Sequence, residues 1–334
     1  MTLIANITPV DLETNDLNKV NKLRDYTKRC MHHGMFLVDG NSPINGDLIY
    51  HQMYNYRTND FERQMYEAVP LAWQKDAKEV HVYVDFGLDR GMMNQINKIK
   101  EYNPDIPVRF CTLSGDRKKL DRAAHLYNNS SLDSIGELSV SVDEIERVNR
   151  AYNLEYSFTP KTLGGIMKEK PIITDFDKLD PVILESPFAG DVKNNVHYAK
   201  YAINYFSQQG FAPMASHLSS TNFLDDTIKE QRDLGIDRGL DIANGKNSIV
   251  AIDRGISGGM EYGVQRAINE GRKYSFVTIS DNKSAIEEVG RIRDIKDAKE
   301  YCEQKKQENK RLFESTGFIL DNDLADKRGL SYKK

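Results

Sequence analysis

Strands and helices alternate in the C-terminal half of the sequence, and this alternation restricts the fold more than any other feature. Four apolar segments have the length and composition of buried strands, and the stretches between them carry apolar residues at helical spacing. The strand segments are 180–191 (with its closing turn), 211–216, 248–253 and 274–280. Strands joined by helices of this length form a parallel sheet with helices on both faces. Because ligands bind such sheets beyond the carboxyl ends of the strands, the loops 186–191, 216–226 and 253–261 are expected to converge on one site.

The first half contains a second copy of this pattern. Residues 79–99 resemble 247–267 in a fixed register, and 108–116 resemble 274–282. The matched pairs are Asp85 with Asp253, Gly87 with Gly255, Gly91 with Gly259 and Met92 with Met260, whereas Glu261 corresponds to Met93. Such self-similarity indicates an internal duplication, although all strand–helix units share apolar strands and glycine turns.

The upstream part of the first copy is harder to align. Its best match to 182–190 is 35–43, which places Gly40 45 residues before Asp85, whereas Ser186 lies 67 residues before Asp253. We therefore expect the first copy to be degenerate, lacking about one strand and a turn.

Composition shifts mark the domain boundaries. A capping box at Ser141 and Glu144 starts a predicted helix over 141–154, and a segment with two prolines and a Gly-Gly pair follows it. We expect a degenerate α/β unit over 1–155, a linker over 156–179 and a second unit over 180–334. The charged stretch 284–316 predicts a C-terminal helix within the second unit, with a capping box at its start.

The charge and cysteine content exclude several classes of protein. A net charge of −4 argues against binding of a nucleic acid polymer. No apolar run approaches the ~18 residues that span a bilayer, and the first residues lack the pattern of a secretory signal. The three cysteines are far apart and form no CxxC pair. We expect a cytoplasmic protein that binds no metal and no redox cofactor and does not bind membranes.

The loop before the third helix of the second unit has the sequence pattern that most strongly indicates a binding or catalytic site. Ser257, Gly258 and Gly259 stand where the unpaired N–H groups of a helix start can hold an anion. Glu261 follows in the first turn, where the helix dipole favours an ionised carboxylate. It is therefore either a nucleophile directed at a small molecule or an ordinary first-turn glutamate.

The segments LESPFAGD (184–191), MASHL (214–218) and IDRGISGGMEYGVQRA (252–267) together resemble the superfamily of nucleoside 2-deoxyribosyltransferases and deoxynucleoside 5′-monophosphate N-glycosidases. Gly255, Glu261 and Gly263 are matched to the family's Gly-x-x-x-Glu-x-Gly loop, although five residues and not three separate Gly255 from Glu261, and the spacing of Asp253 to Glu261 also departs from the family. The resemblance covers roughly 180–282. It implies Rossmann-like (flavodoxin-like) units of α/β class, here two, the first degenerate, plus a C-terminal helix.

The resemblance also implies an activity, namely cleavage or exchange of the N-glycosidic bond of a (deoxy)nucleoside or its 5′-monophosphate. Glu261 would attack C1′ and form a covalent glycosyl-enzyme, which water or a second base would resolve. An acid must protonate the departing base, and Asp225, Asp226 and Asp253 are the open alternatives. The residues expected to contact substrate are Ser186, Pro187, Phe188, Gly190, Asp191, His217, Gly255, Ser257, Gly258, Gly259 and Met260.

Some of these residues have equally good structural explanations. Asp191 fits the N-cap of the following helix, and His217 fits a structural histidine at a strand end. The whole site also fits a non-catalytic module that binds or sequesters nucleotides, and a structural pseudo-enzyme describes the first half. Because neighbouring subunits complete the pockets of the family's enzymes, we expect either a homo-oligomer or an intramolecular pseudo-dimer of the two halves.

Overall fold

The structure is a computed structural model that describes residues 2–9, 16–37, 41–50, 60–151, 178–221, 223–225, 227–279 and 282–316. In chain order its elements are β1 (Thr2–Ile7), α1 (Leu17–Leu37), β2 (Asn41–Ile44), α2 (Gly46–Tyr50), α3 (Asp60–Gln74), β3 (Glu79–Tyr83), α4 (Arg90–Tyr102), β4 (Val108–Cys111), α5 (Arg117–Asn129), α6 (Val142–Ala151), β5 (Asp180–Glu185), α7 (Val192–Ser207), β6 (Phe211–Met214), α8 (Ser216–Ser220), α9 (Lys229–Ile242), β7 (Asn247–Ala251), α10 (Gly258–Asn269), β8 (Tyr274–Val277), α11 (Lys283–Gly290) and α12 (Ile295–Thr316).

The chain divides into two compact units. Unit 1 comprises the described residues of Met1–Thr162 together with Ser219–Ile242, and unit 2 comprises those of Leu163–Leu218 and Ala243–Lys334. The sequence analysis placed all of 180–334 in one domain. In the structure, 219–242 belongs with unit 1 instead. All of the predicted linker 156–179 except Lys178 and Leu179 lies outside the described residues.

Each unit is built on a parallel four-stranded sheet, so the predicted α/β class is confirmed. The strand order is β2-β1-β3-β4 in unit 1 and β6-β5-β7-β8 in unit 2. The strands of unit 2 lie close to their predicted positions because a strand covered on both faces is a continuous apolar run. β5 shows this directly, since Pro181, Val182, Ile183 and Leu184 are all buried.

The first unit keeps all four strands, contrary to the expectation that a strand and a turn were lost. Its first strand is β1, at the beginning of the chain. The predicted match of 35–43 to β5 is wrong, because Met35 lies in the last turn of α1. With β1 as the counterpart of β5, Thr8 lies 77 residues before Asp85, so the first copy is longer between these points than the second.

The ladder registers of the two sheets define equivalent positions. Ile7 pairs with Val82 just as Glu185 pairs with Val250, and Val82 and Val250 are equivalent in the sequence repeat. The pairing on the other side of each first strand is equivalent as well, since Ile4 of β1 pairs with Pro43 of β2 and Val182 of β5 pairs with Pro213 of β6. The duplication predicted from the sequence therefore extends over all four strands of each sheet.

The helix predicted over 226–245 forms as α9, but it packs within unit 1. Its Leu234 contacts a buried cluster of Met31, Met35, Leu48, Phe223 and Leu224. The hydroxyl of Ser42 on β2 donates to Asp241 Oδ2 at 3.3 Å. The turn that leads into α9 therefore belongs to a different unit from the two other loops of the predicted site.

The charged C-terminal stretch forms two helices, α11 and α12. The first begins at an Asn282 cap, whose side chain accepts from the Ser284 N–H at 3.0 Å, and not at the predicted Ser284 cap. The second packs Ala298 and the part-buried Cys302 onto the core of unit 2 beside Val250, Ile252 and Met260. Within the described part of the chain, no helix has both the length and the apolar character needed to cross a bilayer.

Candidate functional site

Two of the three predicted loops are tied together at the carboxyl edge of the unit 2 sheet. Arg254, in the loop after β7, donates from Nε to Asn195 Oδ1 at 3.1 Å, and its Nη2 lies 3.7 Å from Asp191 Oδ2. Asn195 in turn donates from Nδ2 to the carbonyl oxygens of Phe188 and Ala189, at 3.1 and 3.0 Å. The sequence analysis identified the loops but not Arg254 and Asn195, which join them.

The loop 186–191 presents few side chains to solvent. Pro187 is buried and Phe188 is part-buried, with its ring centroid 5.2 Å from that of His217. Gly190 has a φ of +89°, a backbone conformation that residues with a side chain rarely adopt. Asp191 caps α7, because its carboxylate accepts a hydrogen bond from the Asn194 N–H. Asp191 therefore has the predicted N-cap role, and Gly190 serves the turn.

His217 packs against Phe188 inside unit 2. Burial lowers the pKa of its imidazole to about 4, so the ring is neutral near pH 7. The neutral imidazole, tilted by 38° against the Phe188 ring, carries no charge toward an anion. The rest of the predicted third loop, from residue 219 onwards, belongs to unit 1.

The start of α10 has the geometry expected of an anion site. Ser257 is the N-cap, and its hydroxyl accepts from the Met260 N–H at 3.4 Å. Gly258 and Gly259 are exposed residues in the first turn, where the N–H groups of a helix have no partner within the helix. Gly255 has a φ of +87°, as the turn out of β7 requires. Met260, which the sequence analysis placed among substrate contacts, is 1% exposed and belongs to the core.

Glu261 lies in the first turn of α10 and faces α12. Its carboxylate Oε1 is 2.7 Å from Lys299 Nζ, and the two side chains are 39% and 47% exposed. An ion pair this exposed contributes only about 0–1 kcal/mol to stability. The carboxylate therefore remains accessible to a ligand, at the small energetic cost of separating it from the lysine.

Asp253, a predicted proton donor, is instead committed to structure. Tyr198 donates its hydroxyl to Asp253 Oδ2 at 2.5 Å, and the Thr278 hydroxyl donates to Oδ1. The Ile279 N–H lies 3.2 and 3.3 Å from the two carboxylate oxygens. These hydrogen bonds join α7 to the segment after β8, so both carboxylate oxygens of Asp253 are engaged within unit 2.

Of the two other predicted proton donors, the structure describes only Asp225. Asp226 lies outside the described residues. Asp225 belongs to unit 1, where it accepts from the N–H and the hydroxyl of Thr227 at 2.9 and 2.6 Å. The hydrogen bonds from Thr227 lower the pKa of this exposed carboxyl, so Asp225 is ionised at neutral pH.

Glu185, the last residue of β5, is the acidic residue that sequence reasoning missed. Burial raises the pKa of its carboxyl to about 7, with Arg272 acting in the opposite direction. In the sequence Glu185 is one acidic residue at the end of an apolar strand, and an acidic residue at that position is equally typical of a strand end exposed to solvent. Only the packing of α10 over β5 identifies it.

Comparison with known proteins gives one match. A family model described as a domain of unknown function, DUF7768, matches residues 180–277. These bounds coincide with the start of β5 and the end of β8. Neither the curated proteins nor the solved structures include a significant match. The family match therefore coincides with the second repeat, and its description does not indicate a chemical activity.

Proposed function

We propose that unit 2 cleaves or exchanges the N-glycosidic bond of a (deoxy)nucleoside 5′-monophosphate or nucleoside, with Glu261 as the nucleophile. The observation that carries the proposal is the part-exposed Glu261 carboxylate in the same first turn of α10 as the exposed residues Gly258 and Gly259. The resemblance of 184–267 to N-glycosidases and deoxyribosyltransferases supports the same residue.

The reaction is a double displacement. A Glu261 oxygen attacks C1′ of the sugar, and the bond from C1′ to the base nitrogen breaks as the base receives a proton. The resulting ester between Glu261 and the sugar is then attacked by water or by the nitrogen of a second base. The attacking group loses its proton, the Glu261 carboxylate is released, and the configuration at C1′ is retained overall.

The residues around Glu261 suit a phosphorylated substrate. The N–H groups of Gly258 and Gly259 carry the positive end of the α10 dipole, and no Cβ blocks close approach. Arg254 lies in the same loop but is engaged with Asn195 and Asp191. We therefore favour a 5′-monophosphate over a nucleoside, held by the backbone of the helix start, with Phe188 against the base.

A second candidate function is a module that binds a nucleotide without turning it over. The ion pair between Glu261 and Lys299 favours it, because a carboxylate held by α12 has a structural explanation of its own. Under this alternative the glycine-rich helix start still binds phosphate, and no glycosyl-enzyme forms.

The experiment is base release, followed by liquid chromatography, from a panel of nucleosides and nucleoside 5′-monophosphates with and without a second base as acceptor. Wild-type protein, Glu261→Gln and Glu288→Gln are compared. Glu288 is the matched control because it forms a similar ion pair with α12, 3.4 Å from Lys305. We expect release by the wild type and Glu288→Gln, and a loss of at least about 10³-fold in Glu261→Gln.

The outcomes separate the two candidate functions. Both variants should keep the wild-type melting temperature within a few degrees, because each loses an exposed ion pair. Base release that survives in Glu261→Gln would remove Glu261 as the nucleophile. A nucleotide-dependent rise in melting temperature without any base release would favour the binding module.

A further inference from the structure

The Glu185 side chain fills the space beside Gly263 of α10. Its carboxyl lies directly against the backbone of α10, so that a Cβ built at Gly263 would be 2.2 Å from Glu185 Oε1 and 2.7 Å from Oε2. A side chain at position 263 would displace the Glu185 carboxyl from this place. Gly263 belongs to the Glu-x-Gly part of the loop pattern, so the structure gives that glycine a reason that the sequence does not.

The Glu185 carboxyl has no hydrogen-bond or ion-pair partner among the described residues. The charged side chain that acts on it is Arg272, which is itself engaged with the Lys246 carbonyl, Ser248 and Glu270. At the ligand-binding edge of a parallel sheet, a carboxyl that has no protein partner is available to a ligand.

The next residue repeats this observation. Ser186 is 5% exposed, and its hydroxyl is buried with no hydrogen-bond partner in the described part of the chain. The side chain of Glu185 remains partly exposed, so solvent reaches it. Two consecutive unpaired polar groups thus stand at the end of β5, directly before the loop that Asn195 and Arg254 join to the loop after β7.

The protonation state of Glu185 is the one that acid catalysis needs. A general acid works best when its pKa is close to the operating pH, since it must hold a proton and yet release it. Burial brings the Glu185 carboxyl to a pKa of about 7, against an ordinary value of 4.5. Of the other candidates, Asp253 is fully hydrogen-bonded and Asp225 is ionised.

We propose that Glu185 is the proton donor to the departing base in the reaction assigned to Glu261, an inference that rests on the proposed function. As the bond from C1′ to the base breaks, the Glu185 O–H proton passes to the nitrogen or a carbonyl oxygen of the base. The base leaves neutral and Glu185 becomes a carboxylate. When water attacks the ester at Glu261, its proton returns to Glu185 and both residues regain their starting states.

The test compares a leaving group that needs protonation with one that does not. The substrates are the nucleotide that wild-type protein cleaves best and 4-nitrophenyl 2-deoxyribofuranoside 5-phosphate, whose 4-nitrophenolate departs without a proton. In Glu185→Gln we expect base release to fall about 10²- to 10⁴-fold and 4-nitrophenolate release to fall less than about tenfold. The decrease of base release above about pH 7 should disappear in this variant.

Glu261→Gln should lose release from both substrates, because the nucleophile is needed for each. Retained 4-nitrophenolate release also shows that Glu185→Gln is folded. Equal losses on the two substrates, or no loss of base release, would overturn the role of Glu185 while leaving the proposed function intact. Failure of the wild type to release either leaving group would overturn both proposals together.

Discussion

The two units have the same hydrogen-bonded aspartate after their third strand, and they differ in the residues at the end of their first strand. In unit 1, Asp85 accepts from the Tyr26 hydroxyl at 2.8 Å and from the backbone N–H groups of Leu113 and Ser114 at 2.8 and 2.9 Å. In unit 2, Asp253 accepts in the same way from Tyr198 and from the segment after β8. An aspartate after the third strand thus joins the first helix to the fourth strand in both.

The two units diverge at three equivalent positions, two at the end of the first strand and one in the helix that follows the third strand. Unit 1 has Ile7, Thr8 and Met93, all of them buried, where unit 2 has Glu185, Ser186 and Glu261. The Thr8 hydroxyl lies 3.0 Å from that of Thr27 and accepts from Asn45 at 3.1 Å, whereas the Ser186 hydroxyl is unpaired in the described chain. Thr8 therefore has partners within unit 1, whereas Ser186 has none in the described part of unit 2. The two units share their fold and differ in the polarity of these three positions.

Removing the shared aspartate should produce the largest effect. Asp85→Ala leaves a buried tyrosine hydroxyl and two backbone N–H groups without an acceptor, and should lower the free energy of unfolding by about 3–4 kcal/mol. Asp253→Ala should cost about 2–3 kcal/mol, because Asp253 is part-exposed and water replaces some of the lost bonds. Urea unfolding measures both, with the exposed Asp105→Ala as control. If either variant matches the control, the aspartate in that unit does not support the fold.

The pH dependence of stability should distinguish Glu185 from Ile7. The folded-state pKa of about 7 lies above the ordinary 4.5, so the folded protein binds more protons between these values and loses stability as the pH rises through them. The loss is at most about 3 kcal/mol. His217 acts oppositely, since its lowered pKa makes stability rise with pH between about 4 and 6.5.

Comparison of wild type with Glu185→Gln removes the contribution of His217, which both proteins share. The variant should gain stability over the wild type between pH 5 and pH 8, as measured by urea midpoints at the two pH values. Glu288→Gln, an exposed carboxyl in the same unit, is expected to show no such gain. A constant difference between wild type and Glu185→Gln at both pH values would contradict the raised pKa.

The two strand-end hydroxyls should respond to removal with opposite signs. Thr8→Val keeps the side-chain shape but takes an acceptor from Asn45 and a partner from Thr27, and should destabilise by about 1–2 kcal/mol. Ser186→Ala removes a buried hydroxyl without a partner in the described chain and should leave stability unchanged or raise it by up to about 1 kcal/mol. Thermal melting of each variant is the measurement. A destabilisation of similar size in both would show that Ser186 is satisfied within the folded protein.

The sequence predicted what depends on short-range pattern. Strands such as β5 were identified because a strand covered on both faces is continuously apolar, and the start of α7 because Asp191 is a good N-cap. The repeat was identified because residues 79–99 and 247–267 match in a fixed register. Its first strand was missed, because Thr2–Ile7 lies far from the matched segment and shows little similarity to β5 in sequence.

The sequence by itself therefore determined the α/β class, the duplication and the position of the glycine-rich helix start, since periodicity, capping and backbone freedom are local properties. Only the tertiary structure decided that Asp253 is fully hydrogen-bonded, that α9 packs in unit 1 and that Glu185 lies unpaired over Gly263. Burial and the supply of hydrogen-bond partners depend on residues far away in the chain. They set the protonation state of a carboxyl, and no window of sequence contains them.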